Sequence, residues 1–305
     1  MKNILYTITL SFLLVTTTQS KDLEIRNGIV YEAGTEQTFT GKSTTYFENG
    51  QKKQESNFKN GKPDGLVIDW YESGKKKQEM NIKEGKPHGH TIVWHENGKK
   101  HAEGNLNNNM KDGLWTHWHE NGQKRSEANW NNNQREGLWI WWHENGQKSS
   151  EINWKNDKKE GPYIGWHENG EKKKKGNYKN NKEEGVWISW HENGEKKKEG
   201  NWKNDKKEGV WAYWHENGEK KKEGNWKNNK KEGVWISWHE NGQKFVERNW
   251  KNHKVEGHHI EWNKNGQKQW EGNWKNDKKE GVWTWWSEDG STTGTQTYKN
   301  DQVVK

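Results

Sequence analysis

The residues of this chain that could do chemistry stand in columns rather than clusters. Histidine recurs at 95, 119, 143, 167, 191, 215 and 239, each time followed by Glu and an Asn-Gly pair. His and Glu are the residue types of zinc sites and of general acid–base pairs. Geometry argues against both. Zinc ligands converge to about 2.0–2.1 Å of one ion, whereas column neighbours two strands apart stand about 9.6 Å apart. Adjacent His and Glu on a strand also point to opposite faces. Every polar group is copied along the chain, while enzymes gather unlike groups at one concave site. No metal, cofactor or catalytic residue is therefore expected. The chain has no Cys, which excludes thiol catalysis and disulfides.

A second column is indole throughout and includes Trp142, Trp166, Trp190, Trp214 and Trp238. The column through Trp202 instead admits Phe58, Ile82, Leu106, Tyr178 and Tyr298, the shape exchange usual for a core. Insistence on Trp fits a stacking platform with rungs about 9.6 Å apart, close to two sugars of an extended β-linked glycan. It also fits a structural ladder of recently duplicated copies, the simpler reading. A third column, Lys172, Lys196, Lys220 and Lys244, offers contact to anionic headgroups, lipopolysaccharide or an acidic protein. Glu199, Glu223 and Glu247 lie three residues after their lysines and offset most of that charge. Solvated edge charge that discourages aggregation is the simpler reading here too.

The element that must position these columns is a repeat. Glycines fall at 41, 65, 89 and onward to 281, and again at 50, 74, 98 and onward to 290, in steps of 24 residues. Eleven copies without insertion override the two-domain prior for 305 residues. Hydrophobic residues make up 26% and charged residues 31%, a balance that leans towards disorder until the 25 Trp are counted. The net charge of +8 gives a mild bias towards anionic partners.

Within a copy, two strand-like runs flank Asn-Gly, a hairpin signal. With Asn193-Gly194 as a two-residue turn, Trp190 meets Lys197, Trp187 meets Gly200, and Gly185 meets Trp202. The next copy pairs Trp211 with Gly224 and Gly209 with Trp226. In each pair a large ring is expected to cover bare backbone. The connection Lys203 to Glu208 is polar and turn-rich. The fold class is all-β: an elongated single-sheet array of about eleven antiparallel β-hairpins. Residues 1–20 read as a secretory signal, 21–40 as an N-terminal cap, 41–290 as the array and 291–305 as a C-terminal cap or tail. The apolar run from Ile4 to Val15 is too short to span a membrane, so no transmembrane span is expected in the mature chain.

The run KEGNWKNDKKEGVW, with Gly200, Trp202, Asn204 and Gly209 in phase, resembles the MORN repeat. With WHENGEKK added, it is similar to the bacterial MORN variant found in YwqK-type antitoxins. The resemblance covers about residues 41 to 290, and departs where Asp205 or Asn181 replaces a second glycine and Trp211 a last one. It implies a β-hairpin array and an association with lipid binding, scaffolding or toxin neutralisation. The expectation is a non-enzymatic, secreted or periplasmic scaffold that binds a protein or envelope component. Alternatives are an antitoxin or immunity-like protein, and a rod that binds peptidoglycan, another glycan or anionic lipid. Nucleic acid is disfavoured for an exported chain; the oligomeric state is not encoded in any pattern seen here.

Overall fold

The computed structural model describes residues 22–304, so the expected signal at 1–20 lies outside the described residues. Every element among them is a β-strand. Twenty-three of the 25 strands follow one another antiparallel in one sheet, in chain order, and the other two form a separate hairpin. That hairpin, Leu23–Arg26 with Ile29–Glu32, turns at Asn27-Gly28 and donates from the Val30 N–H to the Gly61 carbonyl (2.9 Å). Val30 is fully buried and Phe39 packs on Phe58.

Each repeat alternates a strand of eight and one of nine residues, such as Lys196–Lys203 and Lys206–Trp214. The register through the hairpin interior is Gly185↔Trp202, Trp187↔Gly200 and Ser189↔Lys198, and one copy on Gly209↔Trp226 and Trp211↔Gly224. At the turn the structure departs from the sequence expectation. Trp190 pairs with Lys196, not Lys197, so that Lys197 is the extra residue of a bulge. The His191 N–H donates to the Glu195 carbonyl (2.8 Å) and the Gly194 N–H to the His191 carbonyl (3.1 Å). The loop is thus Glu192-Asn193-Gly194, with Gly194 left-handed at φ 87°. This is a three-residue type I turn closed by a glycine bulge, not a two-residue Asn-Gly turn.

The two-residue turn lies at the other end of the hairpin. Lys203 pairs with Lys206, and Asn204 and Asp205 both take positive φ (50° and 62°). That is the type I′ geometry, which matches the right-handed twist of the flanking strands and which Asn and Asp tolerate. The run Lys203 to Glu208 thus holds a tight turn, as expected, but the strand already resumes at Lys206. Gly209 then stands at φ 68°. Towards the preceding strand, Gly200 faces Trp211 but Asn201 faces Glu208, so Gly209 and Val210 bulge.

The chain divides into two compact units. Among the described residues, one comprises 22–147 with Trp154–Asp157, the other Lys148–Asn153 with 158–304. The core of the first includes Val67, Met80 and Ile82, and a cluster of Ala102, Leu106 and Trp115 packed by Val93 and Trp130. The core of the second is aromatic: Trp187, Trp211, Trp235 and Trp283 are all buried. Trp202 meets Trp211 edge-on at 5.3 Å, and Trp226 meets Trp235 at 5.4 Å, the geometry ring quadrupoles favour.

Candidate functional site

The rings do not lie where the hairpin register would put them. A Cβ added at Gly200 would come within 2.2 Å of the Trp211 ring, from the strand that follows the hairpin, rather than meeting Trp187. Trp187 itself lies over Gly176, and Trp235 over Gly224. The assigned cover of Gly185 by Trp202 and of Gly209 by Trp226 is also wrong. A Cβ at Gly185 or Gly209 would meet nothing within 4 Å, and these glycines serve the left-handed bulge instead. That bulge frees the Asn201 carbonyl, which accepts the Trp211 indole N–H (3.1 Å). Each ring thus packs on the repeat before it, and Trp115, Trp139, Trp211 and Trp235 add this bond. In one copy both the Gly and the Trp are replaced: Arg248 occupies the glycine column and fully buried His259 the Trp column. The Arg248 Nε–H donates to His259 Nδ1 at 2.9 Å, with Glu261 3.6 Å from Nε2.

The recurring polar residues have the same kind of task. His191 donates from Nε2 to the Trp214 carbonyl (3.2 Å), and His95, His119, His167, His215 and His239 do likewise at 3.1–3.2 Å. In an earlier copy the Tyr71 hydroxyl makes the same bond to Trp94 (2.8 Å). Asn193 is used twice: Oδ1 accepts from the Glu195 N–H (3.0 Å) and Nδ2 donates to the Glu216 carbonyl (2.7 Å). At the opposite edge, Asp205 Oδ1 accepts from the Glu183 N–H (2.6 Å), and the Glu184 carboxylate accepts from the Asn204 N–H (2.9 Å). Asp205 therefore replaces a glycine because it tolerates positive φ and also supplies an acceptor. No group of three or more potential metal ligands occurs among the described residues.

The other two columns are also engaged. Lys124, Lys148, Lys196 and Lys220 lie over the rings of Trp142, Trp166, Trp214 and Trp238 at 5.4–5.7 Å. The Trp190 carbonyl accepts from His167. Lys196, Lys220 and Lys244 are ion-paired to Glu199, Glu223 and Glu247 at 2.8–2.9 Å. Only Lys172 of the four candidate cations stands apart, with Lys175 where the others have Glu.

What sequence reasoning missed is the opposite face, which carries the buried rings. In the second unit it holds Lys198, Lys207, Lys222 and Lys231, all half-buried. Among the described residues no carboxylate lies within ion-pair distance of any of them. Lys207 Nζ sits 4.7 Å from the Trp211 ring centre and 4.5 Å from that of Trp226; Lys231 sits 4.8 Å from Trp235 and 4.1 Å from Trp250. Burial holds all four amines below the usual lysine range, and neighbouring cations lower them further. The signal was available in the sequence. The Lys196 column is Lys in ten copies, while the Lys198 column runs Gln54, Gln78, Ala102, Ser126, Ser150, Lys174, Lys198, Lys222, Val246, Trp270. Scaffold positions repeat; this face does not. In the first unit the same face buries Lys111, brought down to about 8 by desolvation, and His117, brought down to about 4 by desolvation and then by Lys111.

Comparison with known proteins bears on the fold. No curated protein matches the chain. Among solved structures, a complex of TcdB2, TccC3 and Cdc42 aligns with 89% of this chain and 17% of its own, at 11% identity and a TM-score of 0.19. A TcdB2–TccC3 structure aligns with 85% and 18%, at 10% identity and 0.20. The Tc holotoxin pore of Photorhabdus luminescens aligns with 89% and 16%, at 11% identity and 0.18. The chain thus spans under a fifth of the length of each. Sequence is more telling. The MORN repeat variant pattern matches ten times, at 39–60, 63–84, 87–108, 111–132, 135–156, 159–180, 183–204, 207–228, 231–252 and 279–300. Those matches take in the stitched rings and the three-residue turns and break off within the type I′ turns, and the chain belongs to the MORN repeat variant family.

Proposed function

We propose that this is an exported, non-enzymatic repeat protein that presents an extended binding surface to a protein or envelope component. One observation carries the reading. The recurring His, Asn, Asp and Glu side chains are spent on bonds between repeats, while Lys198, Lys207, Lys222 and Lys231 on the ring-bearing face of the second unit form no ion pair among the described residues and stand in columns that vary from copy to copy. Repetition gives many equal contacts and suits multivalent binding better than chemistry at one centre. Toxin neutralisation, suggested by the likeness to YwqK-type antitoxins, is the alternative use of the same surface. A pull-down from the native envelope with the mature chain tests the proposal. A partner that is held by the wild type and released when Lys207 and Lys231 are changed to Gln supports it. Capture of nothing refutes it.

A further inference from the structure

The ring-bearing face of the second unit has an excess of donors. Lys198, Lys207, Lys222 and Lys231 are donors only, and among the described residues none of them forms an ion pair, Glu183 acting on Lys198 from farther off. The indole N–H of Trp187 is buried with no partner. Nearby carboxylates are already engaged: Glu183 is bound to Lys174 at 2.6 Å, and Glu261 stands 3.6 Å from His259. A surface built this way is complementary to a ligand rich in oxygen acceptors and negative charge.

Spacing narrows the class. Lys207 and Lys231 are equivalent positions two strands apart, about 9.6 Å. An extended acidic peptide presents same-side carboxylates about 6.6 Å apart and falls out of step within two repeats. Single-stranded nucleic acid binds by stacking bases on open ring faces. Here Trp211 and Trp235 are buried, and their faces are taken by lysine amines and neighbouring rings. A flat lipid surface calls for fully exposed cations, whereas these four amines are half-buried. In a β-1,4-linked polyuronate neighbouring sugars face alternately, so same-side carboxylates recur every second sugar and advance by nearly one repeat per disaccharide. Its hydroxyls also offer acceptors to donors such as the Trp187 indole and the hydroxyls of Tyr213 and Ser237.

We propose that the ring-bearing face of the second unit binds a linear, uronic-acid-containing glycan, one carboxylate per repeat, with Lys207 and Lys231 as equivalent anchors. This rests on the reading of the chain as a binding surface and names the ligand class for it. The cation–π seats hold each ammonium in place before the ligand arrives, so little side-chain freedom is lost on binding.

The test titrates β-1,4-linked oligomannuronate into the full mature chain, followed by calorimetry and indole fluorescence. Affinity should climb with each added disaccharide and fall at about 1 M salt, where the Debye length is about 3 Å. Lys207→Gln with Lys231→Gln should lose at least tenfold, about 1.4 kcal/mol. Lys196→Gln with Lys220→Gln, on the other face and already ion-paired, should stay within about twofold. Thermal melts confirm that both variants fold. Undiminished binding by the first variant overturns the inference. So does equal or tighter binding of polyglutamate or a single-stranded oligonucleotide of matched charge, and so does no binding at all. If oligomannuronate fails while an envelope partner is still captured through Lys207 and Lys231, the glycan falls and the binding surface stands. Capture of nothing in either assay removes both.

Discussion

The exchange of Gly and Trp for Arg and His within one repeat can be moved to another and measured as a double-mutant cycle. Gly200→Arg places a Cβ 2.2 Å from the Trp211 ring, and Trp211 is only 1% exposed. Overpacking alone costs about 1–3 kcal/mol, and a guanidinium buried without a partner raises the total to about 3–5 kcal/mol. Trp211→His leaves a void where the larger ring was. Full truncation of a buried Trp costs about 3–5 kcal/mol, so the smaller imidazole should cost about 2–3 kcal/mol. Independent effects would sum to roughly 5–8 kcal/mol. In the double variant the Arg side chain fills the void and donates to the imidazole, as Arg248 does to His259 at 2.9 Å. A coupling of about 2–3 kcal/mol in the relieving direction is expected. Relief is partial, because the native pair also has Trp270 stacked on His259 at 4.3 Å and Glu261 beside it, where this repeat has Lys222 and Tyr213. Urea unfolding of the four proteins, followed by far-UV circular dichroism, gives the cycle. Additive losses would refute the claim that the two columns are one packing unit.

Other expectations follow from the same geometry. Asn193→Ala removes one acceptor and one donor bond at an exposed turn and should cost about 1–2 kcal/mol in urea. Asn193→Asp keeps the turn acceptor but loses the bond to Glu216, so it should fall between; equal costs would refute the double use. Asp289, at the equivalent place in a later copy, already takes that form: it accepts from the Ser291 N–H at 2.9 Å and is held at about 2 by Ser287 and Ser291. His117 binds a proton more readily unfolded than folded, where its value is about 4. Its contribution is complete above about 6.5 and is lost as pH falls towards 4, on the order of 3 kcal/mol. His117→Asn should flatten that slope; an unchanged pH profile would count against burial of a neutral ring. Lys220→Gln breaks an ion pair to Glu223 of 2.8 Å at a part-exposed site and should change stability by no more than about 1 kcal/mol. A larger loss would show that the cation–π seat on Trp238 matters more than the pair.

The repeat length, the strands and the interior register could be read from sequence because a 24-residue period and an alternation of two leave few choices. The turns could not be assigned by the Asn-Gly rule alone. Asn193 is held in its turn by side-chain bonds, and the true two-residue turn uses Asn204-Asp205, where nothing but αL tolerance and a later acceptor role marks it. Asn60-Gly61 at the same place in an early copy was the available clue. Ring placement was misread because hairpin pairing names one neighbour of a strand, while side chains lean across to the other. The lysines of the ring-bearing face were overlooked because uniformity drew attention to the columns whose constancy reflects scaffold duty.

The offsets of the ties are fixed: 23 residues for His191 and Asn193, 22 for Asp205 and 20 for Asn204. A whole 24-residue copy can therefore be gained or lost between two like neighbours without orphaning a single bond. The gene is free to lengthen or shorten in complete units by unequal recombination, and any reach the protein measures must change in discrete increments, like notches on a ratchet.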